Sequence, residues 1–86
     1  MVTKQVVIKN PTGLYARPAA QLVELCKTFK SAVSLQAGER KCDAKSIFSV
    51  LRSCIKLGET VDVFVEGEDE QEALDQIVDF INELVE

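Results

Sequence analysis

The sequence predicts an α+β fold, an open-faced two-layer sandwich in which a four-stranded antiparallel sheet carries three helices on one face. Four predicted strands and three helical runs follow one another in the order βαββαβα. Strands with one polar face and helices with one apolar stripe have to cover each other in two layers. The chain is long enough for one such domain, so we assign residues 1–86 to a single domain.

The first half of the chain predicts a strand, a helix and a hairpin. Residues 3–9 are rich in Val and Ile and predict the first strand, and residues 10–13 form a turn with Pro and Gly. Helix-spaced apolar residues follow, and a proline suited to a first turn places the helix start near Ala16. Residues 32–36 and 40–43 predict a hairpin. The helical stripe consists of Ala19, Leu22, Val23, Cys26 and Phe29.

The second half predicts a helix, a strand and a last helix. Ser46 precedes a helical run that we expect to end at Gly58, a residue suited to a helix C-terminus. Residues 60–66 alternate Val61, Val63 and Val65 with Asp62, Phe64 and Glu66, as a half-buried strand does. Asp69 followed by Glu72 predicts a capping box at the start of the last helix. One side of that helix carries Leu74, Ile77, Ile81 and Leu84.

Charge is distributed unevenly along the chain. All ten Lys and Arg lie in residues 1–56, where only Glu24, Glu39 and Asp43 oppose them, whereas residues 57–86 hold the other 11 acidic residues and no base. This asymmetry predicts a basic face and an acidic face, and a basic face can steer an acidic partner. The alternative is that both faces are merely solvated.

Composition also excludes several classes of protein. No apolar run approaches the length of a membrane helix and no signal-peptide core is present, so we expect a cytoplasmic protein without membrane contact. Cys26, Cys42 and Cys54 are odd in number and lack a CxxC spacing, and the chain has no histidine. We therefore expect reduced structural cysteines, no metal site and no cofactor.

The segment Gly13-Leu14-Tyr15-Ala16-Arg17-Pro18-Ala19 marks a candidate anion site at a helix start. Unpaired N–H groups and the positive end of the helix dipole favour an anion there, and an arginine adds a planar, permanently charged group suited to phosphate. The candidate anion-binding residues are Tyr15, Ala16 and Arg17. An exposed arginine at a helix start is also common without any ligand.

Together with Ala44-Lys45-Ser46-Ile47, this segment resembles the HPr family, the histidine-containing phosphocarriers of the bacterial sugar phosphotransferase system. The two segments resemble the family's active-site signature and its regulatory serine segment, at the family's spacing and in the same element order. The resemblance covers nearly the whole chain. It implies the same sandwich fold and a binding protein rather than an enzyme.

Tyr15 stands where the family has its phosphorylated histidine. A neutral imidazole takes and releases phosphate near neutral pH, whereas a phenol is protonated and a weak nucleophile there. Because no other histidine exists in the chain, we expect no phosphocarrier activity. The resemblance is therefore strongest to the branch of the family that lacks the histidine and acts in catabolite repression. The alternative is that the chain is an engineered variant of a true phosphocarrier, in which Tyr15 replaces the histidine.

Ser46 matches the family's regulatory serine. From the residues alone it predicts a helix N-cap that stabilises by about 1 kcal/mol. The resemblance implies phosphorylation of Ser46 by an HPr kinase/phosphorylase, and a helix N-terminus tolerates such a charge. Ser49 departs from the glycine usual in the family, which bears on how a kinase would dock.

The helix after Ser46 is apolar around about half of its circumference. We expect Val50, Cys54, Ile55 and Leu57 to be buried. An exposed patch then remains, with an apolar centre and a basic rim, a composition typical of a docking site. The predicted docking residues are Ile47, Phe48 and Leu51 with Lys45, Arg52 and Arg17 around them. The alternative is that the last helix covers the patch.

The leading hypothesis is a regulatory adaptor with Ser46 as its switch. The resemblance implies an HPr kinase/phosphorylase and a catabolite control repressor of the LacI type as partners, with enzyme I and sugar-specific IIA components as further candidates. The alternative is a vestigial or variant phosphocarrier that competes for partners of the phosphotransferase system. Direct nucleic-acid binding is disfavoured, because Phe64 is the single strand aromatic and the chain is acidic.

Overall fold

The computed structural model describes residues 1–86 and has the predicted element order. Residues 32–37 and 60–66 alternate buried with more exposed side chains, and each helix contains an apolar stripe that needs cover. The elements are β1 (Val2–Val7), α1 (Ala16–Lys27), β2 (Ala32–Ala37), β3 (Arg40–Asp43), α2 (Ile47–Ser53), β4 (Thr60–Glu66) and α3 (Glu70–Asn82). The α+β class, the order βαββαβα and the start of α1 at Ala16 are thus confirmed.

The four strands form one antiparallel sheet in the order β1-β4-β2-β3. β4 is a central strand, so Val61, Val63 and Val65 are fully buried under the helices, while Asp62 and Phe64 alternate toward the uncovered face. Helix α3 packs on β1 and β4, α2 packs on β3, and α1 contacts both other helices. This arrangement is the predicted two-layer sandwich, with its core between the layers.

The helix α1 begins after a tight turn that the core holds in place. Gly13 has a φ of 65°, and a Cβ at this residue would lie 2.4 Å from the carbonyl oxygen of Ile55. The next residue, Leu14, is buried, and its N–H donates to the same carbonyl at 3.0 Å. The backbone before α1 is therefore fixed against the segment that follows α2.

The end of α2 differs from the prediction. The helix ends at Ser53 rather than near Gly58, because Cys54 adopts the left-handed conformation with a φ of 52°. Cys54 and Leu57, which we expected to be buried, are consequently exposed, whereas Val50 and Ile55 are buried as predicted. The helix has seven residues, about two turns, so Cys54 and Leu57 lie beyond its end and not on its buried side.

The start of α3 also differs from the prediction, since Asp69 does not cap its own helix. Its carboxylate accepts hydrogen bonds from the N–H groups of Lys30 and Ser31, each at 2.9 Å, and from the Ser31 hydroxyl. The Ser31 hydroxyl bond, followed by the Lys30 N–H bond, lowers the pKa of Asp69 to about 2. The carboxylate therefore joins α3 to the loop after α1, a long-range role that local spacing does not reveal.

Two of the three cysteines belong to the core. Cys26 and Cys42 are buried, and burial raises the pKa of Cys26 to about 12 and raises that of Cys42. Such thiols stay protonated and unreactive at neutral pH. No helix of the structure is long and apolar enough to cross a membrane.

Candidate functional site

The start of α1 holds Tyr15 and Ala16 in an unusual backbone geometry. Tyr15 precedes the helix with extended dihedral angles, its ring is 61% exposed, and its side chain makes no capping bond. Ala16 has a φ of 54°, a conformation that costs an L-residue with a side chain about 1–2 kcal/mol. Strain of this kind persists where the surroundings impose it, and it clusters at functional sites.

The guanidinium of Arg17 already has an anionic partner. Its Nη1 lies 3.3 Å from Oε1 of Glu86, and the carbonyl oxygen of Glu86 accepts bonds from the N–H of Thr12 at 2.9 Å and from its hydroxyl at 2.7 Å. Residue 86 is thus held across the start of α1. An incoming anion would have to displace the Glu86 carboxylate from Arg17, and this exposed ion pair is weak enough to be displaced.

A mainly apolar groove of about 390 Å³ adjoins Tyr15. It connects the start of α1 with the end of α2, since Leu14, Cys54 and Ile55 line it together with Tyr15. Lys56 supplies the one charge at its edge. The groove places an apolar surface beside the predicted anion site.

Ser46 caps α2 as predicted. Its backbone is extended, its hydroxyl oxygen accepts a hydrogen bond from the N–H of Ser49 at 3.3 Å, and its carbonyl accepts the first helical bond from Val50. The side chain is half-buried. Since the hydroxyl acts as an acceptor in this bond, its own hydrogen stays available to another partner.

Lys45 is tied toward α1 instead of extending into solvent. Its Nζ donates to the carbonyl oxygen of Phe29 at 2.8 Å, and its N–H donates to the Asp43 carboxylate at 2.9 Å. Leu14 meets Ile55 at the other end of the pair, so α1 and α2 run antiparallel. The candidate anion residues and Ser46 therefore lie at opposite ends of the α1–α2 pair, with α2, about 10 Å long, between them.

The predicted apolar patch is narrower in the structure than in the sequence. Phe48 is 77% exposed, whereas Ile47 and Leu51 are half-buried and pack against the core. Arg52 is exposed and follows Phe48 by four residues, which places the two side by side on the helix surface. The exposed centre of the patch is thus the single ring of Phe48, and α3 does not cover it.

Sequence reasoning missed the contact between Glu86 and Arg17 and the left-handed residue Cys54. The two residues of the ion pair are 69 positions apart, and no local pattern pairs them. Cysteine gives no signal for a left-handed backbone, whereas a glycine at the same place would have marked the helix end. Both features belong to the tertiary arrangement.

Comparison with known proteins identifies the family. The family model described as the PTS HPr component phosphorylation site matches residues 2–83. The HPr-like protein Crh of Halalkalibacterium halodurans is 42% identical over 81 residues, which cover 94% of this chain and 96% of the relative. The phosphocarrier protein HPr of Lysinibacillus sphaericus is 36% identical over 84 residues, covering 98% of this chain and 96% of the relative.

Solved structures give the same result. The crystal structure of HPr-C-His from Thermoanaerobacter tengcongensis matches with a TM-score of 0.92 and 38% identity over 95% of this chain and 92% of that one. The Crh protein of Bacillus subtilis, described as a swapped dimer, matches with a TM-score of 0.78 and 38% identity over 100% and 99%. With the family model matching residues 2–83, the chain belongs to the HPr family of the phosphotransferase system.

Proposed function

We propose that this protein is a regulatory adaptor of carbon catabolite repression and not a phosphate carrier. The observation that carries the proposal is the exposed phenol of Tyr15 at the start of α1, in a chain without histidine. A phenol does not take phosphate and release it again near neutral pH as imidazole does. Phosphate transfer from phosphoenolpyruvate through this chain then has no acceptor.

The relatives support a regulatory role but do not exclude the carrier one. Proteins named Crh, whose Bacillus subtilis member is described as a catabolite repression HPr, are 42% and 39% identical to this chain. Curated phosphocarriers named HPr are 36–38% identical to this chain, and a solved structure named HPr is 39% identical. The difference in identity is small, so the chemistry at Tyr15 has to decide between the two roles.

Ser46 is the proposed phosphorylation site, with an HPr kinase/phosphorylase as the enzyme that modifies it. Its hydroxyl is half-buried at a helix cap whose single bond, to the N–H of Ser49, a phosphate oxygen could also accept. The modification would add close to two negative charges beside Lys45, at the N-terminus of α2. The fold would tolerate this change, and the surface that a partner meets would become less positive.

Phe48 and its neighbours form the proposed docking surface for a LacI-type catabolite control repressor. An exposed ring bordered by Arg52, on a helix whose other apolar residues are half-buried, fits a small hot spot with a charged rim. A phosphate on Ser46 would offer the repressor an acceptor for an arginine or lysine. Arg17, Lys45 and Arg52 would set the electrostatic field around it.

The first experiment tests the switch. The protein is incubated with ATP and an HPr kinase/phosphorylase, and mass spectrometry locates the phosphate. We expect one phosphate on Ser46, none in Ser46→Ala, and full modification of Ser34→Ala, a control on the open face of the sheet. Modification at another residue, or none, would contradict the assignment.

The second experiment tests docking. The repressor is titrated with phosphorylated and unmodified protein, and we expect tighter binding of the phosphorylated form. Phe48→Ala should weaken that binding about tenfold, whereas Val85→Ala, which truncates an equally exposed apolar side chain, should not. Equal affinities of both forms would leave Ser46 as an ordinary helix cap.

A second candidate function is competition for partners of the phosphotransferase system. The α1–α2 surface carries Arg17, Phe48 and the groove beside Tyr15. Enzyme I or a IIA component could bind this surface, although this chain would accept no transferable phosphate. Inhibition of phosphate transfer between authentic partners by the unmodified protein would favour this function. Phosphorylation on Ser46 would have no part in it.

A further inference from the structure

Ser49 is the third residue of helix α2, and it bonds to both ends of the loop formed by residues 43–46. Its N–H donates to the hydroxyl oxygen of Ser46 at 3.3 Å. Its own hydroxyl oxygen accepts a hydrogen bond from the N–H of Asp43 at 2.9 Å. The side chain of Ser49 is therefore turned back toward this loop.

The hydroxyl of Ser49 has a hydrogen that no group of the protein accepts. A serine hydroxyl can donate one hydrogen bond, and Ser49 Oγ takes part in a single bond, in which it is the acceptor. Ser53, at the end of the same helix, differs because its hydroxyl donates to the carbonyl oxygen of Val50 at 2.6 Å. Ser49 is only half-buried, so a new acceptor beside it can reach its hydrogen.

The loop before α2 is held in place by further hydrogen bonds. The carbonyl oxygen of Asp43 accepts from the N–H of Ser46 at 3.0 Å, and the Asp43 carboxylate accepts from the N–H of Lys45 at 2.9 Å. Nζ of Lys45 donates to the carbonyl oxygen of Phe29 at 2.8 Å. Because the backbone around Ser46 is fixed in this way, a group added to its hydroxyl stays close to Ser49.

We propose that Ser49 is a positioning residue for a phosphate on Ser46, with its hydroxyl as a donor to one phosphate oxygen. This inference rests on the proposed phosphorylation of Ser46. In that step the Ser46 oxygen forms a bond to the γ-phosphorus of ATP, ADP leaves with the bridging oxygen, and the hydroxyl proton passes to the kinase. A phosphoserine has three terminal oxygens, so one can accept from Ser49 while the others stay accessible to a partner.

A hydrogen bond from Ser49 favours the dianion of the phosphate over its monoanion. Hydrogen bonds to the charged form of a group lower its pKa, and the second pKa of a phosphoserine is about 6. Asp43 and Lys45 in the loop and Arg52 further along α2 also act on that pKa, the carboxylate in the opposite direction to the two cations. These three charges are unchanged when Ser49 is replaced, so a change in the phosphate pKa reports the lost hydroxyl.

The test is a phosphorus-31 NMR pH titration of the full chain after phosphorylation by ATP and an HPr kinase/phosphorylase. Ser49→Ala should make the second acid dissociation constant of the phosphate about threefold smaller, which is a higher pKa. Ser49→Thr keeps a hydroxyl and should restore the value of the unsubstituted chain. Ser34→Ala, which removes a hydroxyl from the open face of the sheet, is the matched control and should leave the constant unchanged. Thermal melts confirm that all three variants fold.

The outcomes separate this inference from the function on which it rests. Absence of phosphate on Ser46 in the unsubstituted chain would overturn both. A phosphate on Ser46 whose pKa is the same with and without the Ser49 hydroxyl would overturn the inference alone, and so would an equal change in Ser34→Ala. A Ser49→Thr variant with the same pKa as Ser49→Ala would show that Ser49 acts through the packing of the loop, which also contradicts the proposal.

Discussion

The starts of helices α1 and α2 are built in opposite ways. At α2, Ser46 has an extended backbone and its hydroxyl satisfies an N–H of the first turn. At α1, Tyr15 makes no capping bond and the next residue, Ala16, has a φ of 54°. One start is relaxed and capped by its own side chain, and the other is strained and held by contacts with distant segments.

This difference corresponds to the different roles that we propose for Ser46 and for residues 15–17. A phosphorylation site can also be a good helix cap, because the modified group is a surface side chain and its phosphorylation requires no unusual backbone conformation. A strained backbone needs external support, which Leu14 and Ile55 supply below α1. The strained start of α1 is therefore held in place by a contact with the segment after α2, and not by a cap of its own.

The largest expected effect is on phosphate transfer at the α1 start. With phosphoenolpyruvate and enzyme I, the unmodified sequence should take up no phosphate, and Tyr15→His should become phosphorylated, because the arginine and helix start are in place. Phosphate content by mass spectrometry measures both. Stoichiometric phosphate on the chain with Tyr15 would contradict the first expectation. A Tyr15→His variant that folds but takes up no phosphate would mean that the docking surface has diverged too.

Gly13→Ala should destabilise the protein by about 3 kcal/mol or more, since the new methyl would meet the Ile55 carbonyl oxygen at 2.4 Å in a left-handed backbone. Gly38→Ala is the matched control. Gly38 has a similar φ of 63° but no atom within 4 Å, so we expect a loss of only about 1 kcal/mol. Urea unfolding compares the two. Equal losses would show that the α1 turn is not held against Ile55.

At the relaxed start, Ser46→Ala should cost about 1 kcal/mol of unfolding free energy, because the N–H of Ser49 loses its acceptor. Ser46→Asp should be nearly neutral, since aspartate also caps helices. Thermal and urea unfolding of both variants are the measurement. A neutral Ser46→Ala would mean that the bond at 3.3 Å contributes nothing to stability.

At the strained start of α1, we expect a substitution that raises the stability of the protein instead of lowering it. Ala16→Gly should stabilise the protein by about 0.5–1 kcal/mol, because glycine adopts a φ of 54° without steric cost and this gain exceeds its extra entropy in the unfolded chain. The same unfolding measurement decides. A destabilised Ala16→Gly would show that the methyl group makes a contact that outweighs the strain.

The smallest effect on stability is expected for Phe48→Ala, within about 0.5 kcal/mol, because a ring that is 77% exposed loses little packing on truncation. Leu51→Ala serves as the contrast, since Leu51 is half-buried against the core and should cost more. A loss of several kcal/mol in Phe48→Ala would place its ring in the core and remove the docking interpretation.

The sequence predicted the fold class, the element order and the N-cap Ser46, because these depend on local periodicity and capping chemistry. It was wrong about the end of α2 and about Asp69. Gly58 predicted the end of α2, but the helix ends earlier, at the left-handed Cys54. A capping-box spacing predicted that Asp69 caps α3, but its carboxylate binds Ser31 instead. The patch on α2 was predicted in composition but not in extent, since burial of Ile47 depends on the core beneath it.

What the sequence alone determined is which chemistry the protein can carry. The absence of histidine, the phenol at position 15 and a serine before a helical run are facts of composition and order, and no packing changes them. The tertiary structure decided which residues surround these side chains. It tied Arg17 to Glu86, Lys45 to Phe29, Asp69 to Ser31 and Arg40 to Ser53. These pairings join residues far apart in the chain, which only the fold of the sheet and helices brings within contact distance.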